Sequence, residues 1–307
     1  MRKIMLRYLF REYVHKILLS SRFVMVFVTI LVALVSLFWN MTGVMKELGC
    51  QVGAWELLPA FLYIDSGSLI YFGIFVFLVA ALPKWEGSLN QVSRLGKRKW
   101  LLAQYVYVFF TAVIYYLIWT VGFIMALLPR ITWSNDWSSL VKRAIDPETA
   151  ALFSMDMKMN VGLAFSEKLV SVGSPIRVWL LTFLLHMLAG VFVGMLMVTL
   201  NICFRCGIGT VAAYLIVGVK TIFNWLPALF NNRLIHFDGY RQFKNLLIRM
   251  EFYISPLYQC DLLVMAIHDT RPILERVAIG VVYFLILTAL VVLFGFRVVR
   301  RIDLCQE

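Results

Sequence analysis

Residues 175–202 read PIRVWLLTFLLHMLAGVFVGMLMVTLNI, and this stretch decides the fold. From Val178 onward it contains no Asp, Glu, Lys or Arg. A run of this length is long enough to cross the hydrocarbon core of a bilayer, about 30 Å thick, as a helix. Helix is the required conformation because backbone groups in lipid have to form their hydrogen bonds internally. The stretch therefore predicts a transmembrane helix, in which Gly190 and Gly194 permit close contact with a neighbour.

Five more apolar runs lie on either side of this one, at 23–40, 67–83, 101–128, 210–230 and 277–296. The chain of 307 residues is 62% hydrophobic and only 15% charged, whereas ordinary globular chains are about 25% charged. No polar stretch of domain size separates the runs. We therefore predict an all-α integral membrane protein in which residues 1–307 form a single transmembrane domain of six spans.

Lys and Arg are distributed unevenly among the connecting segments. With an even number of spans both termini lie on one side, together with 84–100 and 203–209, and these inner segments hold 15 basic and 4 acidic residues. The outer segments, 41–66, 129–174 and 231–276, hold 12 basic and 13 acidic residues in a longer stretch of chain. The positive-inside rule places the basic side in the cytoplasm. We predict a multi-pass protein of the cell membrane with both termini cytoplasmic, whose net charge of +12 contacts anionic membrane lipid and not nucleic acid.

Three shorter apolar segments predict structure that does not cross the membrane. In residues 4–17 apolar side chains recur at helical spacing among basic ones, which is typical of an interfacial helix; a plain basic flank of the first span is the alternative. Residues 252–267 are interrupted by Pro256 and Asp261, and residues 52–64 have the same character. Runs of this length suit re-entrant or interfacial segments, so we expect a re-entrant segment before the last span.

Polar residues inside the spans are the candidates for a translocation pathway, since their burial in lipid is costly. His186 lies in the run 175–202, and Lys220 and Asn224 lie one helical turn apart in the run 210–230. We favour an inward-facing or inter-subunit position for all three. The alternatives are a helix–helix hydrogen bond for His186 and snorkelling toward the interface for Lys220.

The segment between the second and third runs carries the most informative pattern. It reads WEGSLNQVSRLGKRKW over 85–100, with Glu86 and Gly87 first and the cations Arg94, Lys97, Arg98 and Lys99 near its end. A short surface helix is expected here, which Gly96 would end. The alternative is a basic loop on the cytoplasmic side of the membrane. The positive-inside rule would then explain its cations but not Glu86.

This pattern resembles the coupling helix of ABC-2 type transporter permeases, which typically begins with an acid and a glycine and continues through a basic stretch into the third span. Those permeases also have an amphipathic N-terminal helix, six spans and an outer re-entrant segment. The resemblance implies that ATP-binding cassette ATPase subunits dock at Glu86, Gly87, Arg94, Gly96 and Lys97. It also implies a second permease chain, identical or related, and export of an amphipathic or hydrophobic cargo such as a peptide or a lipid-like compound.

No P-loop of the form GxxxxGK[ST] occurs in the sequence, so ATP and Mg²⁺ are expected on the partner ATPase, with no cofactor and no catalytic residue on this chain. An alternative from another class is an intramembrane enzyme acting on lipid or peptide, for which His186 and Lys220 are the one candidate pair. A secondary transporter is a further alternative, although repeated halves and broken midplane helices are not evident.

The spacing of cysteine and histidine residues predicts no metal site. Cys203 and Cys206 form a single CxxC without the further ligands that zinc needs. Cys50 and Cys260 both fall in outer segments, where a disulfide is chemically permitted. Four outer residues lack the HExxH spacing of a metalloprotease and are expected to be solvated loop residues: His236, Asp238, His268 and Asp269.

Overall fold

A computed structural model describes residues 20–47, 49–63, 65–80, 92, 95–146, 167–204, 207–219, 255–262 and 272–301. The described chain is mostly helical. In chain order its elements are α1 (Ser21–Glu47), β1 (Val52–Gly53), α2 (Leu57–Leu62), α3 (Asp65–Val79), α4 (Lys97–Ala126), a first 3-10 turn (Leu128–Arg130), β2 (Ile131–Thr132), α5 (Ser139–Ile145), α6 (Glu167–Val170), α7 (Pro175–Phe204), α8 (Ile208–Val219), a second 3-10 turn (Pro256–Cys260) and α9 (Ile273–Arg301).

Three helices, α4, α7 and α9, are long and apolar enough to cross a membrane. They lie where the sequence predicts spans at 101–128, 175–202 and 277–296, and the largely helical structure is compatible with the predicted all-α membrane protein. Shorter apolar helical stretches, in α1, α3 and α8, lie at the other three predicted spans. The count of six remains a prediction, and the predicted interfacial helix at 4–17 lies outside the described residues.

Helix α7 lies at the centre of the bundle and packs against α3, α4 and α9. In the most apolar stretch of α7, 67% of the residues are buried, compared with 22% in the corresponding stretch of α9. The outward face of α9 is apolar, which suits contact with lipid; its exposed side chains include Ile279, Val282, Ile286, Leu290 and Leu293.

Two glycines allow α7 to approach its neighbours closely, as their spacing predicts. A Cβ atom at Gly194 would lie 2.6 Å from Cγ1 of Val108 on α4, which is closer than real Cβ contacts. At Gly190 the nearest atom, of Phe75 on α3, would be 3.4 Å away, which is ordinary contact. The close contact of α7 with its neighbours therefore requires a glycine at position 194, whereas at position 190 a Cβ atom would make only ordinary contact.

Several helix ends meet on one side of the bundle, which we call the capped end. Strand β1, which follows α1, pairs in parallel with β2, which follows α4, in the register Val52↔Ile131 and Gly53↔Thr132. The beginning of α7 is close by, because the indole N–H of Trp137 donates to the carbonyl of Gly173 at 2.8 Å. Helices α1 and α4 thus end where α7 begins.

The opposite end of the bundle is the basic end. The hydroxyl of Tyr105, early in α4, lies 2.7 Å from that of Thr199, late in α7, and the backbone of Gly295, late in α9, is beside them. Helices α7 and α9 therefore run in the same direction, opposite to α4, and the chain between them has to return along the bundle. The described basic residues at this end are Arg22, Lys97, Arg98, Lys99, Arg297, Arg300 and Arg301, whereas the described acidic residues lie toward the capped end.

Two short buried elements lie at the capped end. All residues of α2 are buried against α3, α4 and α7, and this helix of six residues is too short to cross a membrane, as the sequence predicts for 52–64. The second 3-10 turn, within the segment 252–267 predicted to be re-entrant, packs on α7 and α9 with Leu257 and Cys260 buried. Re-entry of the whole segment remains a prediction.

Candidate functional site

His186 lies inside the bundle, with only 1% of its surface exposed. Its ring is stacked on that of Phe72, with centroids 5.7 Å apart, and meets the ring of Tyr71 edge-on at 5.8 Å. Its Nδ1 atom is 3.0 Å from the carbonyl oxygen of Thr182 on its own helix. His186 is therefore buried within this chain, and its expected place in a translocation pathway remains a prediction.

Hydrogen bonds join the helices around His186. The hydroxyls of Tyr63 and Thr182 are 2.9 Å apart, and the hydroxyl of Tyr115 on α4 donates to the carbonyl of Tyr71 on α3 at 2.8 Å. These groups are buried, so each bond satisfies a polar atom that would otherwise be costly in an apolar interior. The arrangement holds α3, α4 and α7 together and leaves His186 closely packed.

A second set of polar contacts joins α4 to α7 near the capped end. The indole N–H of Trp179 donates to the hydroxyl of Thr120 at 3.2 Å, and the hydroxyl of Tyr116 donates to the carbonyl of Trp179 at 3.3 Å. The hydroxyl of Thr120 donates in turn to the carbonyl of Tyr116 at 3.1 Å. We call Thr120, Tyr116 and Trp179 the capped-end contact.

A matching contact near the basic end joins three helices. The hydroxyl of Tyr105 is 2.7 Å from that of Thr199, and both residues are buried. A Cβ atom at Gly295 on α9 would overlap the hydroxyl of Tyr105, and would lie 3.3 Å from atoms of Leu101 and Thr199. We call Tyr105, Thr199 and Gly295 the basic-end junction. This junction was not predicted from the sequence, because a tyrosine and a threonine are common in spans and their pairing depends on helix rotation.

The residues predicted to form the coupling helix are only partly described. Gly96 has φ of 80°, a conformation that favours glycine, and its N–H donates to the carbonyl of Val92 at 2.8 Å. Lys97 is the first residue of α4. A turn at Gly96 thus leads directly into α4 at the basic end. Three other predicted docking residues, Glu86, Gly87 and Arg94, lie outside the described residues.

The remaining pathway candidates, Lys220 and Asn224, also lie outside the described residues, since the description of α8 ends at Val219. Helix α8 begins against the end of α7, where a Cβ atom at Gly209 would overlap the carbonyl oxygen of Met197. The structure therefore places His186 and the start of α8, and a pathway formed by His186, Lys220 and Asn224 remains a prediction.

A buried acid at the capped end was not predicted. Glu56 is 1% exposed, and its two carboxylate oxygens accept hydrogen bonds from the backbone N–H groups of Gly53, at 2.9 Å, and Ser138, at 2.6 Å. Burial raises the pKa of Glu56 above its ordinary value of 4.5, although the hydrogen bonds from Ser138 and Gly53 and the charge of Lys142 oppose this. The signal in the sequence was one acid within the apolar stretch 52–64.

Cysteine and metal chemistry receive no support from the described part of the chain. Cys50, Cys203 and Cys260 form no disulfide there, so Cys50 and Cys260 are not joined to each other. In the described ranges no group of three or more His, Cys, Asp or Glu residues is placed to hold a metal ion. Residues outside these ranges include Cys206, His236, Asp238, His268 and Asp269.

Comparison of the chain with models of protein families, with curated proteins and with solved structures found no match. The function is therefore inferred from the chain's own residues.

Proposed function

We propose that the chain is the transmembrane permease subunit of an ATP-binding cassette transporter, which exports an amphipathic or hydrophobic cargo such as a peptide or a lipid-like compound. ATP and Mg²⁺ bind to separate ATPase subunits. The observation that carries the proposal is the segment from Glu86 to Lys97, where an acid and a glycine precede a run of cations. In support, the described end of this segment turns at Gly96 directly into α4 at the basic end.

The proposed topology has six spans and both termini in the cytoplasm of a cell-membrane protein. In support, α7 and α9 begin on the same side, as the proposed topology requires. Helix α8 begins against the end of α7 and covers the first half of the predicted fifth span, 210–230. The basic end is then the cytoplasmic one, because short cytoplasmic segments carry an excess of Lys and Arg.

The proposed cargo pathway includes His186, Lys220 and Asn224, and a second permease chain, identical or related, completes it. Burial of a polar side chain within a predicted span is costly, so these residues are candidates for a functional role. In support, His186 is buried in the bundle and its ring packs against those of Phe72 and Tyr71. No observation on the described residues favours the intramembrane enzyme or the secondary transporter.

The test of the proposal is purification of the tagged chain from membranes of its native host, followed by identification of bound proteins and measurement of ATP hydrolysis. We expect an ATP-binding cassette ATPase in the preparation. Reversal of two docking charges, by Glu86→Lys and Arg94→Glu, should remove the ATPase. The matched control is Lys142→Glu, a reversal at an exposed residue of the capped end, which should leave the ATPase bound.

The two ways in which this experiment can fail have different meanings. If no ATPase accompanies the wild-type chain, the proposed function is wrong. If an ATPase is bound and its activity is unchanged after both charge reversals, the transporter remains and the docking site at Glu86 and Arg94 is wrong.

A further inference from the structure

Helices α4 and α7 are joined by polar contacts at both ends. Thr120 and Trp179 belong to the capped-end contact, and Tyr105 and Thr199 belong to the basic-end junction. On α4 the two contacts are about 22 Å apart, at 1.5 Å per residue. Between them, Gly194 allows α7 to lie directly against Val108 of α4. Two helices that are joined at two distant points resist rotation about either point.

The direction of the hydrogen bond at the basic-end junction can be assigned. The hydroxyl of Thr199 donates its one proton to the carbonyl of Met195 at 2.8 Å. It therefore accepts from Tyr105, whose hydroxyl is the donor across the helix interface. Both side chains are buried, so loss of this donor would leave an acceptor without its partner in an apolar interior.

Helix α9 reaches the same junction because Gly295 has no side chain. The hydroxyl of Tyr105 lies against the backbone of Gly295, where a Cβ atom would overlap it. The ring of Tyr105 also lies beside that of Phe296, with centroids 6.5 Å apart. One tyrosine near the start of α4 thus fixes the positions of both α7 and α9.

We infer that Tyr105, Thr199 and Gly295 are positioning residues that make α4, α7 and α9 move as one body when the segment before α4 is displaced. The source of that displacement, an ATPase docked at the basic end, rests on the proposed function. Helix α1 is placed differently. At the capped end it is joined to α4 through the β1–β2 pair, but its other contacts with α4 include the apolar packing of Leu34 on Gly122 and of Phe38 on Phe123, surfaces of the kind that slide in shear motions. The relative movement of α1 and α4 therefore occurs toward the basic end, away from the β1–β2 pair.

The first test needs no ATPase. Spin labels at Lys99→Cys and Arg301→Cys, both exposed residues of the basic end, report the distance between α4 and α9 by pulsed electron resonance in lipid nanodiscs. The five native cysteines are replaced by alanine. We expect a single narrow distance distribution. Gly295→Ala should widen or shift it, because the added methyl group meets the Tyr105 hydroxyl.

Two further variants distinguish an effect of the basic-end junction from a general loss of folding. In the double variant Gly295→Ala with Tyr105→Phe, the hydroxyl that the methyl group would overlap is gone, so the mean distance between α4 and α9 should return toward its wild-type value. The hydrogen bond lost in this variant joins α4 to α7 and is not measured by this pair of labels. The control is Gly73→Ala on α3, where a Cβ atom meets nothing within 4 Å and the distribution should not change. An unchanged distribution in Gly295→Ala, or no recovery in the double variant, would overturn the inference.

The second test uses the complex with its ATPase, trapped with ATP and vanadate. The distance from Lys99→Cys to Arg301→Cys should stay constant, whereas the distance from Lys99→Cys to Arg22→Cys on α1 should change. In Gly295→Ala the cargo-independent ATPase rate should fall about threefold or more, within the range of energetic coupling between distant sites. A change in the α4–α9 distance equal to that in the α1–α4 distance would overturn the inference. If no ATPase binds, the proposed function fails, and the first test still decides whether the junction holds the helices together.

Discussion

The ring of His186 lies nearly parallel to that of Phe72, with 14° between the ring planes and 5.7 Å between the centroids. This stacking joins α7 to α3 in the interior of the bundle. Its energetic basis is the burial of two flat rings in contact, which does not require the imidazole to be charged. The packing role and a role in the cargo pathway can therefore be separated by substitution.

We predict that His186→Phe is tolerated and that His186→Ala is not. Phenylalanine keeps the ring against Phe72, whereas alanine leaves a cavity that costs about 2–4 kcal/mol. The measurement is thermal unfolding of both variants in lipid nanodiscs. Equal destabilisation of the two variants would show that the nitrogen atom facing Thr182, and not the ring, supplies the stability. If His186→Phe folds normally but loses export, the loss belongs to the pathway.

The two glycines of α7 should differ in their tolerance of a methyl group. Gly194→Ala brings a Cβ atom within 2.6 Å of Val108 and should destabilise the protein by about 1–3 kcal/mol. Gly190→Ala, on the same helix one turn away, has 3.4 Å to its nearest neighbour and should cost less than about 1 kcal/mol. Unfolding of the two variants under identical conditions makes the comparison, and a larger loss for Gly190→Ala would contradict it.

Glu56 should give the protein a defined pH dependence. Because burial raises its pKa in the folded state, the folded chain keeps this proton to a higher pH than the unfolded chain does. The folded state then binds more protons in the window above the ordinary value of 4.5, so stability is lost as pH rises through the raised pKa. The amide introduced by Glu56→Gln does not titrate, so the stability of the wild type relative to this variant should fall as pH rises through the window.

The measurement for Glu56 is thermal unfolding of the wild type and of Glu56→Gln from pH 4.5, the ordinary pKa of the group, to neutral pH. The difference between two curves removes the contributions of other titrating groups. A wild-type advantage that grows with pH would mean that the hydrogen bonds from Gly53 and Ser138 outweigh burial and that the charged carboxylate is the preferred form.

The orientation of the basic end is testable by labelling. In a chain without its native cysteines, Lys142→Cys at the capped end should react with a membrane-impermeant maleimide on intact cells, since its position is exposed. Lys99→Cys at the basic end should react only after the cells are permeabilised. Reaction of Lys99→Cys on intact cells would reverse the topology and remove the basis for ATPase docking at this end.

The sequence predicts the helices of this protein better than it predicts their contacts. The run 175–202 predicts α7 because the length and apolar character of a span are local properties that lipid requires. Gly194 was recognised for the same reason, since spacing along one helix shows that two glycines share a face. Both predictions need only residues that are close together in the chain.

Contacts between distant segments were not predicted. Glu56 and Ser138 are 82 positions apart, and nothing in either segment indicates that the backbone N–H of Ser138 will meet the acid. Tyr105, Thr199 and Gly295 lie on three helices, and their meeting depends on how each helix is rotated about its axis. Apolar runs that are hydrophobic on every side, as α7 is, leave this rotation undetermined.

The parallel pairing of β1 with β2 also has a consequence for biosynthesis. Val52 has no partner strand until Ile131, 79 positions later in the chain, has left the ribosome. The carboxylate of Glu56 likewise lacks the hydrogen bond from the backbone N–H of Ser138 until that residue, which is translated later still, has been synthesised. A nascent chain stopped between α3 and β2 would hold an acid without one of its two backbone donors, so the capped end is completed only after α4 and the segment up to Ser138 have been synthesised.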